Sequence, residues 1–128
     1  MILVDSDVLI AHLRGRESAT EWLVDARTRG PLAVSVVTVA EITGGMRSHE
    51  RREVWGLLGA LRTQHVDEVI ARSAGRLMRA YRRSHGGIGT ADYLIAATAL
   101  ENGLELATLN VKHFPMFPDL QPPFRLPA

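Results

Sequence analysis

The 128-residue chain contains no cysteine, so neither a disulfide framework nor a cysteine-ligated zinc site is open to it. Lysine is nearly absent as well, Lys112 standing alone beside fourteen arginines. No apolar run approaches the roughly 18 residues of a membrane span. The N-terminus has no basic region leading through an apolar stretch to a cleavage site, so no export signal is expected. Together these absences predict a soluble, cytoplasmic protein without a membrane partner. Formal net charge is only +1, which by itself favours no class of partner.

What is present suits one compact domain spanning residues 1–128, with 46% hydrophobic and 23% charged residues. There is no internal repeat, linker or low-complexity segment. The arginines cluster at Arg47, Arg51 and Arg52, and again at Arg72, Arg76, Arg79, Arg82 and Arg83. Arginine matches phosphate bidentately, so either cluster is a candidate phosphate-tracking surface, although codon usage explains an arginine bias equally well.

Met1–Val4 is an uninterrupted apolar run, which predicts a strand buried on both faces and puts Asp5 at its carboxyl end. Helices are expected to about Arg14 and over Ser18–Arg29, the latter stopped by Gly30-Pro31. Leu32–Val37 reads as a second buried strand, Thr38–Met46 as a helix and His49–Gln64 as another. A short strand is expected at His65–Asp67, an amphipathic helix over Glu68–Arg83 and a helix over Thr90–Glu101 capped by Asn102-Gly103. Leu104–Thr108 reads as a last strand, and five prolines after residue 114 predict an irregular tail. Strands alternating with helices predict an α/β fold around a central, mostly parallel sheet.

Three acids share a local setting. Asp5 ends the first strand, Glu41 follows the second in the first turn of a helix, and Asp92 lies in the first turn after a glycine-rich loop. Each has an ordinary structural explanation. Asp5, with Ser6 and Asp7, can cap a helix; Thr38-Val-Ala-Glu41 fits a capping box; Asp92 can complement a helix dipole. Yet Asp92 shares its helix face with Ile95, Ala96 and Ala99, and a carboxylate on a buried face needs a partner. Gly44 and Gly45 leave the flank of Glu41 bare. Carboxylates meeting within about 4 Å repel by roughly 4 kcal/mol per pair at an effective dielectric of 20. An arginine or a divalent cation would offset that, and oxygen-only ligands favour magnesium or manganese. Such clusters serve in-line phosphodiester hydrolysis.

Four segments carry a family resemblance: Val4-Asp-Ser-Asp-Val-Leu-Ile10, Val37-Thr-Val-Ala-Glu-Ile-Thr-Gly-Gly-Met46, Ala91-Asp-Tyr-Leu-Ile-Ala-Ala-Thr98 and Ala107-Thr-Leu-Asn-Val-Lys-His-Phe114. In that order the chain resembles the PIN-domain ribonucleases, and among them the toxins of VapBC-type toxin–antitoxin modules. The resemblance implies a three-layer α/β/α sandwich and a Mg2+- or Mn2+-dependent endoribonuclease that hydrolyses RNA by metal-activated water. It makes Asp5, Glu41 and Asp92 the metal-binding acids. The fourth acidic position falls on Asn110, an amide, which leaves a second metal without a charge; Asp7 is the candidate replacement. A cognate antitoxin, homodimerisation, and promoter DNA bound only through the antitoxin complex are implied likewise. Arg47, Arg51, Arg52 and His113 are the candidate RNA contacts.

Two other readings compete. The first is a PIN fold kept as a non-cleaving RNA- or protein-binding module. The second is a haloacid-dehalogenase-like phosphatase using Asp5 and Asp7 as nucleophile and acid/base, though that fold needs a lysine and a late acidic pair. The five histidines share no metal spacing. Trp22 and Trp55 are expected in core or interface packing, and Tyr93 in packing rather than base stacking.

Overall fold

The computed structural model describes residues 1–126. Its centre is β1 (Ile2–Val4), which pairs in parallel with β2 (Leu32–Ser35) on one side and β4 (Glu105–Ala107) on the other. Beyond β2 lies β3 (Arg62–Gln64), also parallel, giving the order β3-β2-β1-β4. Six helices connect and cover the strands: α1 (Ser6–Leu13), α2 (Glu17–Thr28), α3 (Val36–Gly45), α4 (Arg51–Gly59), α5 (Glu68–Tyr81) and α6 (Thr90–Asn102). Short 3-10 turns occupy Ser48–Glu50 and Val111–His113.

Alternation along β1 splits the core in two, because successive side chains leave a strand on opposite faces. Val4 points into a cluster with Val34 of β2 and with Val8, Leu9, Leu23, Ile42, Val54 and Leu58 from the layer of α1 to α4. Leu3 points the other way, onto Ile95, Ala96 and Ala99 of α6, with Leu106 and Phe114. Outside α6 lies α5, joined to it through Ile70, Ala74, Tyr93 and Ala97. The result is an α/β/α sandwich. Strand order runs outward from β1 to β3 and then reverses to β4, so the reversal falls between β1 and β4. In open parallel sheets, ligands bind in the crevice beyond the carboxyl ends at that reversal.

Several boundaries differ from the sequence reading. The second strand stops at Ser35, whose hydroxyl accepts a hydrogen bond from the Val37 N–H and starts α3 at Val36. Glu41 therefore sits in the second turn of α3, and Thr38-x-x-Glu41 is not a capping box. The expected helix over His49–Gln64 is broken: α4 ends at Gly59, and Arg62–Gln64 forms β3 instead of a strand at His65–Asp67. Asp67 caps α5 by accepting from the Ile70 N–H at 2.9 Å. Tyr93 is buried, as its packing role requires, whereas Trp55 is half exposed. Trp22 meets Phe124 with ring centroids 6.4 Å apart, so the irregular tail is packed back onto the first layer. Of the tail's five prolines, Pro127 lies outside the described residues.

The capping assignment makes an opposed pair of predictions. Ser35→Ala should lower unfolding free energy by about 1 kcal/mol. Thr38→Val, which keeps the shape of a buried side chain whose hydroxyl has no partner, should stay within about 0.5 kcal/mol of the parent. Urea titrations measure both, and the reverse ranking would restore Thr38 as the cap.

Candidate active site

The chain turns from β1 directly into α1, and Asp5 is the hinge between them. Its backbone is extended (φ −75, ψ 159), and its Oδ1 accepts from the Ser6 N–H at 2.8 Å as the N-cap of α1. Its Oδ2 accepts from the Thr108 hydroxyl at 2.8 Å, just past the end of β4. The backbone completes the junction, the Asp5 N–H donating to Ala107 O at 2.9 Å. Only 5% of Asp5 is exposed. Burial first, and then the charge of Asp7, push its pKa up to about 6; the hydrogen bonds from Thr108 and Ser6 offset part of that rise.

Asp7 fastens the same loop. Its Oδ2 accepts from the Leu109 N–H at 3.0 Å and lies 3.3 Å from the Thr108 hydroxyl oxygen. Thr108 has a single proton for two carboxylates, and its oxygen accepts from the Asn110 N–H at 3.1 Å. Asp7 Oδ1 is buried without a partner. Burial raises the pKa of Asp7 despite the hydrogen bonds to its other oxygen.

Glu41 enters from α3 at the rim. Its pKa is raised by partial burial and next by the charge of Asp92, with Asp7 adding a smaller push and the Ser6 hydroxyl opposing it. Asp92 is the third residue of α6, where its Oδ2 accepts from the Gly89 N–H at 3.3 Å. Gly89 is the N-cap residue of α6. His113 Nδ1 lies 3.1 Å from the same Asp92 oxygen and 2.8 Å from the Asn110 amide nitrogen. One ring nitrogen cannot both donate to the carboxylate and accept from the amide. With Nδ1 protonated, the Asn110 amide must present its oxygen; with Nδ1 bare, the amide donates and Asp92 loses that bond.

Asp5, Asp7, Glu41 and Asp92 thus lie in one another's fields at the β1/β4 crevice, with Asn110 and His113 beside them. Thr108 is the residue that sequence reasoning passed over. It occupies the position after β4 that Asp5 occupies after β1, and this register was its only available signal. Arg47, Arg51 and Arg52 are exposed on the turn and helix after α3, and none of them pairs with an acid of the cluster. Between Glu41 and that segment lies a cleft lined by Ile10, Leu13, Met46 and Val54, with Arg14 and Glu50 at its edge.

A hard divalent cation fits this donor set. All four acids offer oxygen, one buried oxygen of Asp7 is unpartnered, and burial raises the pKa of three of the four carboxyls, with neighbouring acids adding to the rise at Asp5 and Glu41. Among the described residues no arginine or lysine pairs with any of the four. Nor do three acid or histidine side chains there close tightly enough to enclose an ion. Glu41 and Asp92 are borne on separate helices and are less buried than Asp5. The phosphatase reading needs a lysine at the acids, and among the described residues none pairs with them.

Residues 2–115 match the PIN domain family. The chain is a PIN-domain protein. It is 67% identical over its whole length, and over 96% of the relative, to Ribonuclease VapC10 of Mycobacterium tuberculosis. Its fold superposes on a chain of a toxin–antitoxin complex from Klebsiella pneumoniae with a TM-score of 0.80 at 26% identity, covering 98% of this chain and 100% of that one. It also matches a chain of FitAcB from Neisseria gonorrhoeae, with a TM-score of 0.73 at 32% identity, covering 89% and 91%.

The raised carboxyl pKa values set a pH dependence for the metal-free protein. A carboxyl whose folded pKa exceeds its unfolded value holds its proton more tightly when folded, so stability falls as pH rises between the two. For Asp5 that interval runs from 3.8 to about 6, a cost at neutral pH of roughly 3 kcal/mol; Asp7 and Glu41 act in the same direction. In EDTA, Asp5→Asn should therefore raise the melting temperature at neutral pH and lose that advantage below about pH 4. A variant less stable than the parent at neutral pH would mean that the hydrogen bonds of Asp5 outweigh its burial.

Proposed function

We propose that this chain is a cytoplasmic, metal-dependent endoribonuclease, the toxin of a VapBC-type toxin–antitoxin module, built as a single domain over residues 1–128. The observation that supports the reading is the oxygen-only cluster at the β1/β4 crevice, with which no arginine or lysine pairs among the described residues. The 67% identity to a protein named as a ribonuclease supports it.

Asp5, Glu41 and Asp92 would hold Mg2+ or Mn2+. When bound, such an ion lowers the pKa of a water ligand and neutralises charge on the scissile phosphodiester. Asp5 fixes the depth of the site, since both its oxygens are anchored by Ser6 and Thr108. Asn110 and His113 orient Asp92 and present polar edges to the RNA or to water. Asp7 supplies charge near Asn110 through its free Oδ1. Arg47, Arg51 and Arg52 take up RNA phosphates on the side of Glu41.

Inhibition follows from the same electrostatics. A guanidinium from an antitoxin would satisfy the carboxylates in place of the metal, and the apolar cleft beside Glu41 suits an anchoring side chain of that partner. The toxin is proposed to act as a homodimer and to meet promoter DNA only through the antitoxin complex.

The test is a set of Asp5→Ala, Glu41→Ala and Asp92→Ala variants against a mixed RNA pool, with Mg2+ or Mn2+ and with EDTA. Loss of a metal ligand removes several kcal/mol of transition-state stabilisation, so each variant should cleave roughly 100-fold more slowly or worse. EDTA should abolish parent activity. Undiminished cleavage in a variant would remove that residue from the mechanism, and RNA binding without cleavage by the parent would favour the non-cleaving module.

A further inference from the structure

The second arginine cluster falls on a surface that the acid site does not use. Residues 69–91 contain five arginines and no acid. Arg72, Arg76, Arg79 and Arg83 recur at intervals of four, three and four, which places them on one stripe of α5 and its continuation, about one turn or 5.4 Å apart. All are exposed, as is Arg82 at the helix end. The opposite face of α5 is committed to the core through Ile70, Ala74, Leu77 and Met78. Two of the arginines have acidic neighbours, Arg72 to Glu68 at 2.9 Å and Arg76 to Glu101 at 3.9 Å, and exposed pairs of this kind bind weakly. Arg79, Arg82 and Arg83 pair with no acid among the described residues. Gly75 has no side chain to fill the space between them, leaving a shallow depression lined by Arg72, Arg76 and Arg79.

The position of this stripe matters as much as its charge. It ends at a glycine-rich loop, residues 85–89, which leads into α6 and within three residues to Asp92. Since α5 and α6 pack along one another and are joined by that short connection, the carboxyl end of α5 lies at the same end of the molecule as the acids. We infer that the α5 stripe is a second RNA-backbone surface. It grips phosphates on the side of the site opposite Arg47–Arg52 and leads the strand past the loop to the acids. The spacing of one helical turn is comparable to that of successive backbone phosphates, and the contact is one of charge, indifferent to base identity. This inference rests on the proposed ribonuclease reading.

The experiment compares the parent with the triple variant Arg79→Glu/Arg82→Glu/Arg83→Glu and its lysine counterpart Arg79→Lys/Arg82→Lys/Arg83→Lys. Affinity for a long single-stranded RNA is read by fluorescence anisotropy in EDTA over a salt series. The glutamate variant should bind about tenfold more weakly or worse, and its log–log salt slope should shrink by about 2 if three phosphates are lost. The lysine variant should keep most of the slope. The deficit should fade for an oligonucleotide too short to reach from the acids to α5. Unchanged affinity and slope in the glutamate variant would overturn the inference. A changed oligomeric state by light scattering would do the same, marking the stripe as a contact between copies. Parent cleavage in Mn2+ is measured alongside. Cleaving parent with an indifferent glutamate variant removes the stripe alone, whereas loss of affinity in a protein that cleaves nothing upholds the stripe and removes the ribonuclease reading.

Discussion

The mutual repulsion of carboxylates at one end of a parallel sheet is the constraint on which the rest of this structure turns. Asp5 and Asp7 are two residues apart, largely withdrawn from water, and share a single hydroxyl proton from Thr108. The hydrogen bonds from Ser6, Thr108 and Leu109 offset only part of the cost of burying these charges. Burial drives the pKa of Asp5 up to about 6, the mark of a group held where its charged form is unwelcome. What keeps it there is covalent and topological. The residue ends the central strand, both neighbouring strands are paired to it, and the loop after β4 is tied to Asp5 and Asp7 through Thr108 and the Leu109 N–H. Strain of this kind is tolerated where it prepares a site for a ligand that relieves it.

The parts of the fold carried by continuous apolar runs were legible in the chain. Met1–Val4 announced a central strand because it lacks polar alternation, and α5 announced itself through apolar residues at intervals of three and four. The failures came where two patterns compete. Val36 and Val37 look like strand residues, yet the Ser35 hydroxyl captures the Val37 N–H and turns the chain into α3. Leu61 extends the apolar period of Val54 and Leu58, so the helix seemed to run on. In fact it stops at Gly59 and Leu61 packs from the connection into β3. That strand, Arg62–Gln64, is polar and lies at the sheet edge, where pairing is backbone business and leaves no hydrophobic signature.

The acids were legible for a different reason. Asp5 follows the central strand and Asp92 opens its helix where the sequence pattern puts them, while Glu41 lies one turn deeper in α3 than its pattern suggests. Their partners were not legible. Thr108 contacts Asp5 across 103 positions of sequence, and His113 reaches Asp92 only because the turn after β4 folds under α6. An amide at position 110 makes sense in that setting. A carboxylate there could only accept, whereas an amide can take either role toward the His113 imidazole by turning over. Asp7 stands beside the same loop, with the Leu109 N–H and the Thr108 hydroxyl on one of its oxygens.

A net charge of +1 conceals a segregated molecule. The cations that would serve phosphate binding stand on α4 and α5, and none of them among the described residues reaches the acids. Keeping them apart is a requirement of the proposed chemistry, because any arginine able to bend into the crevice would satisfy the carboxylates and displace the metal. Arginine heads on long stems are mobile, so the separation has to be built from rigid parts. Helix α6 supplies it: Tyr93, Ile95, Ala96 and Ala97 are buried, which fixes the helix between the α5 stripe and the sheet. The same helix holds Asp92 at its N-terminus. One packed element therefore presents an acid to the site and holds the basic stripe away from it. An antitoxin arginine could inhibit for the reason that the chain's own arginines do not: it is not tethered to a packed helix that holds it away from the acids.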